Sequence, residues 1–430
     1  MKVKNLLKTL ALALSVSLLA PIANKVSAQE VNIQTPEIIG EASITMDINT
    51  GEVIYSKNAD VKLSPASTTK LMTALLFAEN KNKTDILTFS DTTLKVTETA
   101  LNNYVDLNPG DKISADDTMK SVLIFSANDT AYLMAESVGG TVDNFVNMMN
   151  EKANELGLKD THFENPSGLE IDPLNPSNTN INETTAYDLA KISIAAFQND
   201  WIKDVISPQN IKTSIDIAGY PMELDSRNKI LGKYGNIGGK TGTEELAGHC
   251  FVGFFERDGR ELVTVVLKSE YGATGLHVFE DTEKVAEYSY SVPKEIYKNS
   301  GDEVGTVELT YKTFGFFGTE KQITAPIYLN EDVKYYKNDF NDKYATISYN
   351  GDTKNAWNFT GDKAITLTYS TPSYTQDVIG TVKLSATELI KANLSLYLLA
   401  LIIVIILLVL LIIIIRIFNK RKRNSRRRYY

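Results

Sequence analysis

The sequence contains a single cysteine, Cys250, and only three histidines. One cysteine cannot form an intramolecular disulfide, which excludes a small fold held together by disulfides. Cys250 lies in the apolar run CFVGFF of residues 250–255, and this setting predicts a buried small side chain rather than a reactive thiol. The histidines, at positions 162, 249 and 277, show none of the ligand spacings of zinc sites. We therefore expect no metal site and no other cofactor.

Acidic residues are missing from the N-terminal end of the chain. Residues 1–28 hold four lysines, an apolar run from Leu10 to Ala20 and then the small-residue sequence VSA. This pattern predicts a secretory signal peptide over residues 1–28, with Gln29 as the first mature residue. An uncleaved N-terminal anchor is the alternative. It is disfavoured because the run is shorter than the ~20 residues of a membrane span and Pro21 follows it.

Acidic residues are also missing from the C-terminal end, where the longest apolar run lies. The run from Leu394 to Ile415 is broken only by one serine and one tyrosine. As a helix it would be about 33 Å long, enough to cross a hydrocarbon layer of ~30 Å. Eight Arg and Lys residues follow, so the positive-inside rule places the C-terminus in the cytoplasm. We predict a single-pass transmembrane helix over residues 394–418, a basic cytoplasmic tail over 419–430, and an extracellular location for everything between Gln29 and about Asn393.

The two basic ends hide the acidity of the rest of the chain. They carry twelve of its positive charges, so the formal charge of −9 for the whole chain becomes −21 for the part between them. Such a charge argues against binding to nucleic acid. Beside a membrane span, the basic tail is explained by topology rather than by a nucleic-acid patch.

The interior pattern places helices between two groups of strands. It predicts a β-hairpin over residues 42–55, strands over 235–268, and a sheet whose first strands are N-terminal and whose last strands follow a helical insert. Short alternating strands from about residue 292 to 386 predict a small all-β domain. The helices of the insert are predicted over the following stretches: from Ser67 onward, 116–124, 129–138, 141–156 and 185–196.

Three short motifs carry the chemistry. Ser67 precedes Lys70 by three residues on one predicted helix, which places a hydroxyl and an amine side by side. That spacing alone would arise by chance about once or twice in a chain of this length. Ser126-Ala127-Asn128 and Lys240-Thr241-Gly242 follow in order, and the last is expected only about 0.1 times by chance. Their joint occurrence predicts a serine nucleophile.

The motifs and their surroundings resemble one family. With the segments Pro65–Thr73, Phe163–Leu169 and Gly239–Thr243, they are similar to the low-molecular-weight penicillin-binding proteins, the serine-type D-alanyl-D-alanine carboxypeptidases of peptidase family S11. The likeness covers roughly residues 38–290 and, more faintly, the β domain. It implies an α/β catalytic domain over 29–290 of the serine β-lactamase and penicillin-binding-protein type, an antiparallel sheet with a helical subdomain, followed by an all-β domain over 291–387.

The resemblance also implies roles for the residues of the motifs. Ser67 would be the nucleophile, and Lys70 would have to be neutral to take its proton, which burial and a second nearby cation favour. Ser126 would relay a proton to the leaving amine, with Lys240 as the second cation. Which residue acts as the base stays open. The substrate-binding residues would be Asn128, Lys240, Thr241, Gly242 and Thr243, and the N–H groups of Ser67 and Thr243 would bind the oxyanion.

The implied partners are a peptidoglycan pentapeptide ending in D-Ala-D-Ala, β-lactam antibiotics as acylating inhibitors, and the membrane through the C-terminal helix. One departure concerns the substrate carboxylate. The family has a basic residue before the Phe-x-Asp that corresponds to Phe279–Asp281, and here His277-Val278 stands in that place. Carboxylate binding therefore falls to Thr241, Thr243 or a cation that the sequence does not identify.

Several alternatives remain at the level of sequence. A β-lactamase needs a deacylation base, often in an E-x-x-L-N segment; residues 98–102 match those letters but precede Ser126, the wrong order. A β-lactam sensor would need a larger cytoplasmic output than the short tail. Locally, Asn128 could be only the N-cap of a helix that starts at Asp129. Gly238, Gly239 and Gly242 could mark a β-bulge alone.

Overall fold

The structure is a computed structural model that describes residues 33–352 and 354–426. The predicted signal peptide and the last four residues of the predicted tail lie outside the described residues. The strands are β1 Ala42–Asp47, β2 Val53–Lys57, β3 Ile86–Thr88, β4 Lys112–Ser114, β5 Lys212–Ile217, β6 Tyr220–Asp225, β7 Asn236–Glu244, β8 Gly248–Arg257, β9 Arg260–Ser269, β10 Glu295–Lys298, β11 Glu303–Lys312, β12 Glu320–Leu329, β13 Val333–Tyr335, β14 Thr346–Ser348, β15 Lys363–Thr371 and β16 Tyr374–Val382. The α-helices are α1 Lys70–Asn80, α2 Ala115–Lys120, α3 Asn128–Gly139, α4 Val142–Glu155, α5 Ala186–Phe197, α6 Asp200–Val205, α7 His277–Ser291, α8 Asp339–Tyr344, α9 Ala386–Lys391 and α10 Leu394–Arg426.

The first sheet has five antiparallel strands in the order β2-β1-β9-β8-β7. Its first two strands are N-terminal, and the other three follow the helical insert, so the predicted topology is confirmed. Side chains of the central strands alternate between the two faces. On β8, Val252 and Phe254 join the core beneath α1, α3 and α5, whereas Phe251 and Phe255 pack against α7. The sheet is therefore covered on both faces, and β7 forms one edge.

The helical insert packs against this sheet through α5, and α1 lies among the other helices of the insert. Eight consecutive residues of α1, from Lys70 to Phe77, are buried. A small sheet of order β3-β4-β5-β6 closes the outer side of the insert. Because Lys70 is the first of these buried residues, its amino group lies inside the domain rather than on the surface.

The second region forms its own sheet, β11-β12-β16-β15-β14, with β10 and β13 paired beside it. Its core is aliphatic and aromatic and contains Leu309, Leu367 and Tyr369. The short helix α8 departs from the all-β expectation: its Phe340 stacks on Tyr187 of the first region with ring centroids 4.7 Å apart. The helix thus supplies a contact between the regions. The boundary at residues 290 and 291 stays a prediction.

The C-terminal helix α10 is continuous over 33 residues. It is the one helix among the described residues that is long enough and apolar enough, by length and composition alone, to cross a membrane. The helix continues beyond the predicted span into the basic segment as far as Arg426, so this part of the predicted tail is helical.

Candidate active site

The candidate nucleophile lies in a tight turn. Ser67 belongs to a 3-10 helix, Ala66–Thr69, and the α-helix begins only at Lys70, three residues later than predicted. Ala66 has a φ of 47°, a left-handed conformation that is uncommon for alanine and clusters at functional sites. Gly168 packs against this turn: a Cβ there would lie 1.9 Å from the carbonyl oxygen of Ala66. The turn is therefore held by the Phe163–Leu169 segment that the sequence singled out.

The amine of Lys70 is buried and has three oxygen neighbours. Its Nζ lies 2.7 Å from Ser67 Oγ, 2.6 Å from Asn128 Oδ1 and 2.9 Å from the Ser167 carbonyl oxygen. The amide and backbone oxygens can only accept hydrogen bonds. A neutral amine has two N–H groups and one lone pair. It can donate to these two oxygens and point its lone pair at the hydroxyl of Ser67.

Electrostatics favour that neutral form. Burial lowers the pKa of Lys70 to about 7, with Glu244 opposing the shift and Arg227 adding to it. A pKa near 7 leaves a large share of the amine unprotonated at neutral pH. The geometry and the charge state together allow Lys70 to accept the Ser67 proton.

A second buried lysine lies opposite. The Nζ of Lys240 donates to Ser126 Oγ at 2.8 Å and to the Thr241 carbonyl at 2.7 Å. Burial, Lys70 and Arg227 together hold the pKa of Lys240 well below its ordinary value. The nearby cation that lowers the pKa of Lys70 is Arg227, whereas Lys240 is itself shifted by Lys70, so the role of Lys240 as the second cation stays a prediction.

The hydroxyl of Ser126 is presented by an irregular helix end. The helix predicted over 116–124 is an α-helix only to Lys120, and Ser121–Phe125 forms a π-turn. Ser126 follows with a φ of 72°, again left-handed for a residue that is not glycine. Wider turns of this kind are frequent at functional sites, and here the turn aims Ser126 at Lys240.

Asn128 is not a helix cap. The N-cap of α3 is Ala127, and no side chain caps the helix. The side chain of Asn128 instead accepts from Lys70 and donates from Nδ2 to the Glu98 carbonyl at 2.8 Å. The capping alternative was wrong, because both polar atoms of this amide are used to join Lys70 to the loop of Glu98.

The last motif lies on the edge strand β7. Gly242 lies where this strand passes close to the nucleophile turn. A Cβ on this residue would lie 2.9 Å from the Pro65 carbonyl oxygen and 3.0 Å from Ser67 N. Glycine therefore lets the strand approach the turn. The bulge alternative does not apply to Gly242, since the register of β7 shifts between Asn236 and Gly238.

These elements enclose one cleft of about 310 Å³. It is lined by six of the eight predicted residues: Ser67, Ser126, Asn128, Thr241, Gly242 and Thr243. Lys70 and Lys240 lie buried beneath it. The structure thus brings all eight together, while their individual roles stay predictions. His277-Val278 stands where the family has a basic residue that binds the substrate carboxylate. His277 is not among the residues described as lining the cleft, although Phe279 of the same helix is.

Three charged residues of the cleft wall were not predicted from the sequence: Arg227, Lys229 and Glu244. Arg227 lines the cleft near Ser126, with its guanidinium over the Phe125 ring at 4.9 Å. Arg227 follows β6 in a loop that contains none of the three motifs. A contact between this loop and the π-turn brings Arg227 to the cleft, and only the structure shows that contact. Arg227 is therefore a candidate for the carboxylate-binding cation that the sequence did not identify.

The cleft wall also carries acidic residues. Glu98 and Glu244 line it, and Glu170 lies nearby, accepting from the N–H groups of residues 246 and 247. Burial, Glu98 and Glu170 raise the pKa of Glu244 to about 7. The cleft wall therefore carries both cationic and anionic side chains. Cys250 lies outside it and is fully buried, as predicted.

Comparison with known proteins agrees with this geometry. Residues 29–270 match the family model of the D-alanyl-D-alanine carboxypeptidases, peptidase family S11. The chain is 30% identical over 271 residues to the D-alanyl-D-alanine carboxypeptidase DacF of Bacillus subtilis, covering 61% of this chain and 66% of DacF. It is 31% identical over 272 residues to DacC of Escherichia coli, covering 61% of this chain and 64% of DacC. It thus spans slightly less than two thirds of the length of these relatives.

Solved structures show the same fold. The Streptomyces K15 DD-transpeptidase superposes with a TM-score of 0.53 at 26% identity, over 60% of this chain and all of that one. Penicillin-binding protein D2 of Listeria monocytogenes, in an ampicillin-bound form, gives a TM-score of 0.52 at 27% identity, with the same coverage. The predicted fold class is confirmed. Since the family model also matches more than half of the chain, the protein belongs to the D-alanyl-D-alanine carboxypeptidase family, peptidase family S11.

Proposed function

We propose that this protein is a serine-type D,D-carboxypeptidase that removes the terminal D-alanine of peptidoglycan pentapeptides through an acyl-enzyme on Ser67. One observation carries the proposal. The buried amine of Lys70 has two acceptor-only partners and one hydroxyl partner, Ser67, at 2.7 Å. This is the arrangement that an amine needs to act as a base toward serine.

Acylation begins with proton transfer from Ser67 Oγ to Lys70 Nζ. The oxygen attacks the carbonyl carbon of the penultimate D-alanine, and the carbonyl oxygen becomes an oxyanion. The N–H groups of Ser67, at the start of a helical turn, and of Thr243, on the edge strand, are the proposed donors to it. The substrate backbone adds beside β7, whose outer edge faces the cleft.

Collapse of the intermediate expels the terminal D-alanine. Its amine takes a proton from the hydroxyl of Ser126, which Lys240 holds at 2.8 Å. Ser126 regains a proton from the protonated Lys70, so that the Ser67 proton reaches the leaving amine and Lys70 is neutral again. The departing carboxylate faces Arg227 and Thr241, and a charge-assisted hydrogen bond from Arg227 would fix its position. Water then attacks the ester carbonyl while neutral Lys70 takes its proton. As the ester bond breaks, Lys70 passes that proton to Ser67 Oγ, which frees Ser67 and restores the neutral amine. A β-lactam would acylate Ser67 by the same attack, but its leaving nitrogen stays attached to the adduct.

We further propose that the protein acts at the outer face of the cell membrane. The helix α10 spans the bilayer once, the catalytic region faces the cell wall, and the C-terminus is cytoplasmic. The support is the length of the apolar helix and the basic segment behind it, which contains no acidic residue.

The direct test is release of D-alanine. The full chain in detergent, incubated with a pentapeptide ending in D-Ala-D-Ala, should release one D-alanine per peptide. The variant Ser67→Ala should lose the activity by at least about 10³-fold. Ser177→Ala, which alters an exposed serine elsewhere, serves as the control and should retain it. A folded wild-type chain that releases no D-alanine would contradict the proposal.

A β-lactamase is the second candidate, because the structure places Glu98 in the cleft wall. The order of the motifs along the chain therefore does not exclude this carboxylate as a deacylation base. The lifetime of the adduct with a labelled penicillin separates the two functions. A long-lived adduct supports the carboxypeptidase. Rapid turnover that Glu98→Gln converts into a stable adduct would favour the β-lactamase.

A further inference from the structure

The turn between β11 and β12 exposes an unusual set of aromatic side chains. We call Phe314–Gly318, with the sequence FGFFG, the aromatic tip. Phe316 is 83% exposed, more than any other large hydrophobic residue in the described chain, and Phe317 is 53% exposed. Gly315 and Gly318 have φ angles of 82° and 106°, which let the turn present both rings outward. Neither ring belongs to the core of the second region.

The aromatic tip is attached to the start of α10. The ring of Phe314 lies edge-on to the ring of Tyr397, with centroids 5.1 Å apart, and the Tyr397 hydroxyl donates to the carbonyl of Thr313. Phe317 stacks on Phe314 at 4.7 Å. The aromatic tip is therefore in direct contact with the first turn of α10.

A second set of contacts fixes the same joint. Asn393, which is buried, accepts from Lys321 at 2.6 Å and donates to the Tyr311 hydroxyl at 2.8 Å. These residues lie on the two strands that flank the aromatic tip. The tip and the first turn of α10 therefore hold a fixed position relative to each other.

The depth of this joint follows from the length of the apolar run. Counting ~20 residues back from Arg416, the first basic residue, places the outer edge of the hydrocarbon layer at about residue 396. Tyr397 then lies at that edge, where tyrosine and tryptophan are enriched. The two ring distances place Phe317 within about 10 Å of Tyr397, close to the thickness of roughly 5–8 Å of the interfacial layer. Trp357, whose indole donates to the Lys312 carbonyl at 2.8 Å, adds another aromatic side chain close to the aromatic tip.

We propose that the aromatic tip inserts into the outer interfacial layer of the membrane and forms a second contact beside the span. Two exposed phenylalanines next to a membrane helix need an apolar environment, and lipid is the one that the neighbouring span brings to them. The second contact fixes the height and tilt of the sheet, and with it the position of the cleft above the membrane. The inference rests on the proposed span of α10 and not on the proposed reaction.

Depth-dependent fluorescence quenching tests this. Since the only cysteine is Cys250, a Cys250→Ser background allows an environment-sensitive dye to be attached at one chosen site. The full chain is labelled at Phe317→Cys and reconstituted in vesicles whose lipids carry nitroxides at the headgroup. We expect a blue-shifted emission and at least about threefold more quenching than at Tyr220→Cys, an exposed residue of the β5-β6 hairpin.

A third label separates the possible results. Leu407→Cys lies in the middle of the span and should be quenched by nitroxides deep in the acyl chains. If it is not, the span and the aromatic tip are both refuted. If Leu407→Cys is quenched and Phe317→Cys is as exposed to water as Tyr220→Cys, the span stands and the insertion of the tip is wrong. Release of D-alanine by each labelled chain is measured separately, so failure of the reaction would not be mistaken for either result.

Discussion

The two regions of this protein bury different kinds of side chain. Between residues 36 and 291, seven charged side chains are buried, among them Lys70, Asp129 and Lys240. Within the described part of residues 292–393, no charged side chain is buried, and the core is aliphatic and aromatic. Burying a charge costs free energy unless it is paired and hydrogen-bonded. The first region therefore accepts a cost to stability that the second avoids.

Three of those charges lie at or next to the cleft. The other four are paired or hydrogen-bonded elsewhere in the first region: Asp47, Glu52, Asp188 and Asp281. Lys70 and Lys240 lie directly under the cleft, and Asp129 accepts from the N–H of Asn102 in the loop that follows Glu98. Burial raises the pKa of Asp129 to about 6, so this carboxylate is mostly charged at neutral pH at a cost in free energy. The two buried lysines thus lie in the region that holds the proposed catalytic site, whereas the second region supplies the joint with α10.

The largest expected effect comes from removing the buried base. Lys70→Met keeps the length of the side chain and removes the amine. We expect D-alanine release to fall by about 10³-fold, because Ser67 loses its proton acceptor. Thermal unfolding by circular dichroism should show a midpoint at neutral pH that is unchanged or higher, since a buried charge is gone. Activity within tenfold of the wild type would place the base elsewhere.

The same variant has a characteristic pH dependence of stability. The pKa of Lys70 is about 7 in the folded chain and near 10.5 when exposed. Between these values the unfolded chain binds more protons, so the wild type becomes more stable as pH rises. Lys70→Met lacks this pH-dependent contribution to the free energy of unfolding. Its stability relative to the wild type should therefore be greatest below pH 7 and decline toward pH 10.5, as measured by denaturant unfolding.

The next largest effect concerns the cation that the sequence did not identify. Arg227→Gln should lower kcat/KM for a peptide with a free C-terminal carboxylate by about 10- to 100-fold, the value of a charge-assisted hydrogen bond. The same peptide with an amidated C-terminus is the matched control and should be affected much less. Equal losses for both peptides would show that Arg227 acts on the fold or on Lys70 and does not bind the carboxylate.

The sequence could predict the parts of the site that are local. Ser67 and Lys70 lie one turn apart, and the Lys-Thr-Gly motif lies within one strand, so their geometry follows from helix and strand periodicity. The positions of α3, α4 and α5 were predicted to within a few residues, because serine, threonine or glycine marks their ends. The fold class followed from the order of these elements and the resemblance.

The sequence could not predict the contacts that cross the fold. The carbonyl oxygen of Ser167 is a partner of Lys70, and a backbone atom leaves no signature in the residue type. The π-turn before Ser126 inserts one residue into a helix without a change in composition. Arg227 and Glu244 reach the cleft through the pairing of distant segments, and their effect on Lys70 depends on distances that only the structure gives.

A smaller effect would sharpen the electrostatic part of the comparison. If neutral Lys70 is the active form, the rate of acylation by a labelled penicillin should rise with pH through about 7. Arg227→Gln removes a positive charge, which raises the pKa of Lys70 and moves the profile to higher pH. Glu244→Gln removes a negative charge and should move it to lower pH. Shifts of both variants in one direction would mean that another group controls the profile.

The smallest expected effect on activity comes from the core of the second region. Leu367→Ala opens a cavity among side chains that hold no charge and should destabilise the protein by about 2–5 kcal/mol. D-alanine release, measured well below the unfolding midpoint, should stay within about twofold, because no group of the cleft comes from this sheet. Leu71→Ala is the matched deletion beside Lys70, and it should lower both stability and activity, since a shift of about 1 Å in a catalytic group can cost 100-fold. Equal loss of activity in the two variants would mean that the second region also positions the site, and the division between a charged catalytic core and an uncharged supporting core would fail.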